Sequence, residues 1–103
     1  MDFMEIAMDP SGTHALQSLI DKLNTNKNEI IIKEILNKEE NILKLAFNSN
    51  GTHILQKIID LSDENNRTII NKCILENFSN LCLDPNGICV VNIFKIIKFY
   101  KNF

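Results

Sequence analysis

Apolar and polar positions in this chain follow a pattern that returns three times at one register. Gly12, Gly51 and Gly87 serve as reference points. Nine positions before each stands a large apolar residue (Phe3, Ile42, Phe78), and six before stands another (Ile6, Leu45, Leu81). Five before stands a small residue (Ala7, Ala46, Cys82), and four before stands Met8, Phe47 or Leu83. Steps of three and four residues follow one face of a helix, so the spacing predicts a short helix ahead of each glycine. Beyond Gly12, the residues Ala15, Leu16, Leu19, Ile20 and Leu23 form one apolar arc. Ile54, Leu55, Ile58 and Ile59 repeat that arc beyond Gly51, which predicts a second helix in each unit. A third matched pair, IIIKEIL at 30–36 and IINKCIL at 69–75, predicts connecting helices in front of the second and third units. Strand signals are weak, because no stretch alternates cleanly between apolar and polar residues.

The repeat extends to residue identity. GTHALQSLID at 12–21 returns 39 residues later as GTHILQKIID at 51–60, with seven of ten positions identical. A weaker copy, GICVVNIFKI, begins at Gly87, 36 residues further on. A recurrence of this length predicts a stack of supersecondary units in place of a single globule with a unique core. The predicted fold is an all-α solenoid of two and a half to three three-helix units, at about 1–26, 27–61 and 62–103, forming one domain. The chain begins just ahead of Phe3, so the first unit is expected to lack its connecting helix. Neither end reads as a polar capping unit, so the chain is expected to be part of a longer array or to bury its ends in a homo-oligomer.

The turns between helices carry helix-start chemistry: Asp9-Pro10-Ser11, Asn48-Ser49-Asn50 and Asp84-Pro85-Asn86. An Asp or Asn side chain accepts from a free backbone N–H, and Pro suits the first helical position. Ser62-Asp63-Glu64 reads as a cap and acidic first turn for the second connecting helix. The glycine falls in the first turn, where a missing side chain lets neighbouring helices approach closely.

Composition narrows the chemistry. A hydrophobic content of 45% with 23% charged residues is ordinary for a soluble folded chain, and charges interrupt every apolar stretch before it is long enough for a membrane span. The three cysteines Cys73, Cys82 and Cys89 show no paired spacing, which argues against a disulfide framework or zinc site and for a reducing, cytoplasmic setting. Cys82 fills the slot of Ala7 and Ala46 and reads as a small buried residue. Cys73 aligns with Glu34, a slot expected to be exposed. A formal charge of −2 is a poor overall match for a nucleic-acid binder. His14 and His53 occupy equivalent slots with no carboxylate or thiol at ligand spacing, so no metal site is expected. No phosphate loop, nucleophile elbow or other catalytic motif is present, and neither an enzyme nor a cofactor is expected.

The remaining candidates lie on the helices after the glycines. Thr13, His14 and Gln17 occupy a second arc of the first such helix, and Thr52, His53 and Gln56 repeat it. Stacked units would set these trios in a row suited to an extended, repetitive ligand. Gln can pair with a base edge, His can stack on a base face, and Thr adds a contact. The same row also fits a protein partner or a solvated scaffold face.

DPSGTHALQSLID, NSNGTHILQKIID and DPNGICVVNIFK resemble Pumilio-type (PUF) RNA-binding repeats, whose motif after the turn reads roughly N-G-x-[HYR]-x-x-Q. The resemblance covers essentially the whole chain and is most similar to central repeats of such a domain. It implies a right-handed superhelix in which each unit of three helices reads one base of single-stranded RNA. Carried over by position, Thr13 and Gln17 would flank one base edge and Thr52 and Gln56 the next, with His14 and His53 stacked between bases. In the third unit Ile88, Cys89 and Asn92 fill these slots. Ile88 has no side-chain hydrogen bond to offer, Asn92 is shorter than Gln, and Cys89 packs beside a base. Lys57, next to Gln56, is placed to meet a phosphate or to stay solvated, and Lys95, Lys98 and Lys101 give the last helix a basic stripe. The family also implies recognition of untranslated-region elements of messenger RNA and a protein partner on the convex face. The alternatives are a protein-interaction scaffold without RNA reading and a sequence-independent nucleic-acid binder.

Overall fold

A computed structural model describes residues 2–93 of the chain, and all regular structure among them is helical. The helices are α1 (Phe3–Met8), α2 (Pro10–Lys22), α3 (Thr25–Leu36), α4 (Glu39–Ala46), α5 (Gly51–Leu61), α6 (Glu64–Glu76) and α7 (Phe78–Leu83). Residues 87–93 are helical as well. The units are therefore α1–α2, then α3–α4–α5, then α6–α7 with 87–93. Lys95, Lys98 and Lys101 lie outside the described residues.

The three turns use one capping device. Asp9 Oδ2 accepts from the backbone N–H groups of Ser11 and Gly12 at 3.0 and 2.7 Å. Asn48 Oδ1 accepts from Asn50 and Gly51 at 2.9 and 2.8 Å, and Asp84 Oδ2 from Asn86 and Gly87 at 2.9 and 2.8 Å. Each turn residue thus satisfies two of the orphan donors of a helix start. The connecting helices begin five residues ahead of the apolar runs that mark them, because Asn24 and Asp63 supply caps to Lys27 N and Asn66 N.

Packing places the helices in rows. α2 lies against α5, α3 against α6, and α1 against α4; α1 also touches α2 and α5, and α4 also touches α3, α5 and α6. The core between them is aliphatic: Ile20, Ile32, Ile35, Ile42, Leu45, Ile54, Leu55, Ile58, Ile70, Ile74 and Leu81 are all buried. Each such side chain contributes roughly 1.5–3 kcal/mol relative to exposure. The glycines allow α2, α5 and the 87–93 helix to sit directly on the helix before them. A Cβ on Gly51 would stand 2.8 Å from both Cα and O of Leu45, and one on Gly12 or Gly87 would stand 2.6 Å from the carbonyl of Ile6 or Leu81.

A side-chain bond ties each unit to the one before. Asn50 Nδ2 donates to Met8 O, and Asn86 Nδ2 donates to Phe47 O, each at 3.1 Å. Asn50 and Asn86 directly precede their glycines, so this bond is itself part of the repeat.

Three expectations need correction. Cys82 is half-buried, whereas Ala7 and Ala46 in the same slot are fully buried. Cys73 is buried, whereas its counterpart Glu34 is exposed. α6 packs on both α3 and α4, which brings Cys73 Sγ to 4.0 Å from Glu39 O. Glu34 instead borders an open cleft of about 430 Å³ shared with Asp2, Phe3, Ile6, Lys38 and Asn41. The buried stripe of α2 is also turned from the expected arc. Thr13, Leu16 and Ile20 are buried, while Ala15 is exposed and Leu19 keeps 46% of its surface.

Candidate nucleic-acid interface

α2, α5 and the 87–93 helix carry the trios. At the second slot of each trio His14, His53 and Cys89 are exposed. At the third slot Gln56 and Asn92 are exposed and Gln17 is half-buried. These slots fall at equal distances after glycines that share one cap and one close approach, so they recur at one register from helix to helix. An imidazole with an amide one turn later offers a stacking face and a hydrogen-bonding fork.

The first slot behaves differently. Thr13 retains 1% of its surface, and its hydroxyl donates to Asn50 O of the next unit at 3.2 Å. It is a contact between units and does not face outward as the trio pattern implied. Thr52 is half-buried and donates to Ser49 O at 3.1 Å, within its own turn. Ile88 is half-buried, and Cys89 Sγ donates to Pro85 O at 3.5 Å. Gln17 Nε2 reaches Thr13 Oγ1 at 3.5 Å, the outer limit of a hydrogen bond. Gln56 forms no such bond among the described residues.

Lys57 does not extend freely from the surface. Its ammonium pairs with Asp21 of the preceding unit at 2.5 Å, leaving 26% of the lysine side chain and 59% of the aspartate exposed. A phosphate at this position would compete with a carboxylate already in place. Sequence reasoning passed over two participants, Asp21 and Asn50. Each had a signal: Asp21 closes the repeated ten-residue block, and Asn50 recurs as Asn86.

The environment of Cys73 disfavours its thiolate. Burial, then the charge and hydrogen bonding of Glu39 and the charge of Glu76, push its pKa up to about 12. Among the described residues no group of three or more His, Cys, Asp or Glu side chains is placed to hold a metal, and no helix is long and apolar enough to cross a membrane.

A sequence profile of the Pumilio-family RNA binding repeat matches three segments, residues 2–36, 41–72 and 77–92, together most of the chain. The chain belongs to the Pumilio (PUF) family of RNA-binding repeat proteins. No match was found among curated proteins or among solved structures.

Proposed function

We propose that this protein binds single-stranded RNA along the row formed by α2, α5 and 87–93, one base per unit, as part of a right-handed superhelix. The observation that carries this reading is the recurrence of exposed His14 and His53, each followed one turn later by Gln17 or Gln56, on stacked helices within the family-matched segments. Histidine faces separate adjacent bases, and glutamine amides pair with base edges. Each stacked base contributes roughly 1–3 kcal/mol. In the third unit Cys89 packs beside a base, and Asn92 gives a shorter reach. Binding would recognise untranslated-region elements of messenger RNA and act in post-transcriptional regulation in the cytoplasm, by recognition without catalysis. With the formal charge at −2, shape and stacking must outweigh phosphate attraction.

The test is selection from a randomised short RNA pool at physiological salt, followed by sequencing of what is retained. A short enriched element, lost when Thr52, His53 and Gln56 are replaced together by Ala, is the expected result. Retention unchanged by that triple replacement, or no retention by the parent protein, defeats the reading. Retention without an enriched element, falling steeply with salt, indicates sequence-independent binding.

A second reading is a protein partner on the row of α3 and α6. Ile30 and Ile69 occupy equivalent positions there and expose 68% and 47% of their surface. The two readings use different faces. Replacing both isoleucines by Asp should abolish a protein contact and leave RNA retention intact.

A further inference from the structure

We propose that Thr13 is a positioning residue that makes the first unit a stricter base reader than the second, although both carry the same Thr-His-Gln trio. The inference rests on the RNA reading above and concerns how the glutamine amides are held.

Thr13 has a single hydroxyl hydrogen, and a backbone carbonyl can only accept. The bond to Asn50 O at 3.2 Å therefore fixes that hydrogen toward Asn50. Toward Gln17, Thr13 Oγ1 presents lone pairs alone. Only the amino group of Gln17 can face it, and a reversed amide would set two oxygens against each other beside a buried group. The amide of Gln17 is thus held with Nε2 toward Thr13 and Oε1 away. It offers an incoming base one fixed order of acceptor and remaining donor.

Bases divide by the opposite order. Adenine and cytosine carry an exocyclic amino donor beside a ring acceptor, whereas guanine and uracil carry an exocyclic carbonyl beside a ring N–H. A held amide matches one order and leaves unpaired groups against the other. In the second unit Thr52 donates to Ser49 O, and Gln56 is exposed with no hydrogen bond among the described residues. The terminal torsion of a glutamine is broad, so this amide turns over and accommodates both orders.

The test uses the RNA element retained by the intact chain. Gln17→Ala and Gln56→Ala first identify the nucleotide read by each unit, and all four bases are then placed at both positions. At the Gln17 position, amino and keto bases should differ in Kd by about tenfold, and at the Gln56 position by less than about threefold. Thr13→Val, with its helical CD spectrum retained, should reduce the first ratio to the second, and Thr13→Ser should preserve it. Equal ratios at the two positions, or a ratio unmoved by Thr13→Val, overturn the proposal. If Thr13→Val does not fold, the comparison of the two wild-type positions decides alone. Side-chain amide NMR of the free protein separates the two claims. Gln17 should be restrained and Gln56 mobile, and equal mobility defeats the positioning role whatever RNA does. A restrained Gln17 in a protein that retains no RNA defeats the RNA reading and, with it, the base selectivity.

Discussion

Replacing Gly51 by Ala probes the contact that sets the position of α5. The new methyl carbon would stand 2.8 Å from Leu45 Cα, 2.8 Å from Leu45 O and 3.1 Å from Leu45 Cδ2. Ordinary carbon contacts lie at about 3.5–4.0 Å, so α5 must lift from α4 by about 0.7 Å. Two of the three atoms are backbone, so rotation of a side chain cannot relieve the clash. Overpacking of this kind costs about 1–3 kcal/mol. Against it stands the helix propensity of Ala over Gly, at most about 1 kcal/mol and less at a first helical position. The balance is a loss of about 1–2 kcal/mol, which lowers Tm by roughly 5–15 °C for a domain of this size. Urea unfolding followed by CD at 222 nm measures it, and the slope should be unchanged while the midpoint falls. A Gly51→Ala variant as stable as the parent, or more so, would refute the claim that the glycine exists for close approach.

Four further outcomes follow from named contacts. Asn48→Asp should raise stability by about 0.3–1 kcal/mol, because a carboxylate at this helix start adds charge complementarity that Asp9 and Asp84 already supply, and the gain should shrink in added salt. Iodoacetamide near neutral pH should modify exposed Cys89 and spare Cys73 until the chain unfolds. The folded-state pKa of Cys73 is raised from 9.0 to about 12, so its contribution to stability is complete below pH 9 and is lost as pH rises from 9 toward 12. Unfolding measured across that window should show this decline, and alkylation of Cys73 in the folded protein would contradict it. Asp21→Asn should free Lys57 for phosphate, tighten RNA binding and steepen its salt slope by about one unit. Stability should change by no more than about 1 kcal/mol, because the pair is partly solvated.

The repeat, the helix order and the turns were readable because each is written locally. Asp9, Asn48 and Asp84 act on backbone groups two and three residues away, and the apolar steps of three and four residues report one helix face. What eluded the sequence depends on how one unit sits on another. Thr13 and Thr52 are identical in residue and motif, yet one hydroxyl crosses to the next unit and the other folds back on its own turn. Cys73 and Glu34 share a slot, but α6 closes over its neighbours where α3 leaves a cleft beside α1. Lys57 read as a phosphate contact or a solvated lysine, and its ion pair with Asp21 was not foreseen because the two lie 36 residues apart in sequence. Of the candidate row, His14, His53 and Gln56 are exposed, Thr13 is packed between units and Thr52 bonds within its own turn.

Modularity is the most exposed claim. Fluorescence anisotropy titrations with the retained RNA element, carrying every single-base change in turn, should be run on the parent protein and on Gln17→Ala and Gln56→Ala. Gln17→Ala should erase the strong base preference at one nucleotide and Gln56→Ala the weaker preference at its neighbour, each leaving the other nucleotide unchanged. Preference lost evenly across the element, or unaltered by either substitution, would contradict one-base-per-unit reading.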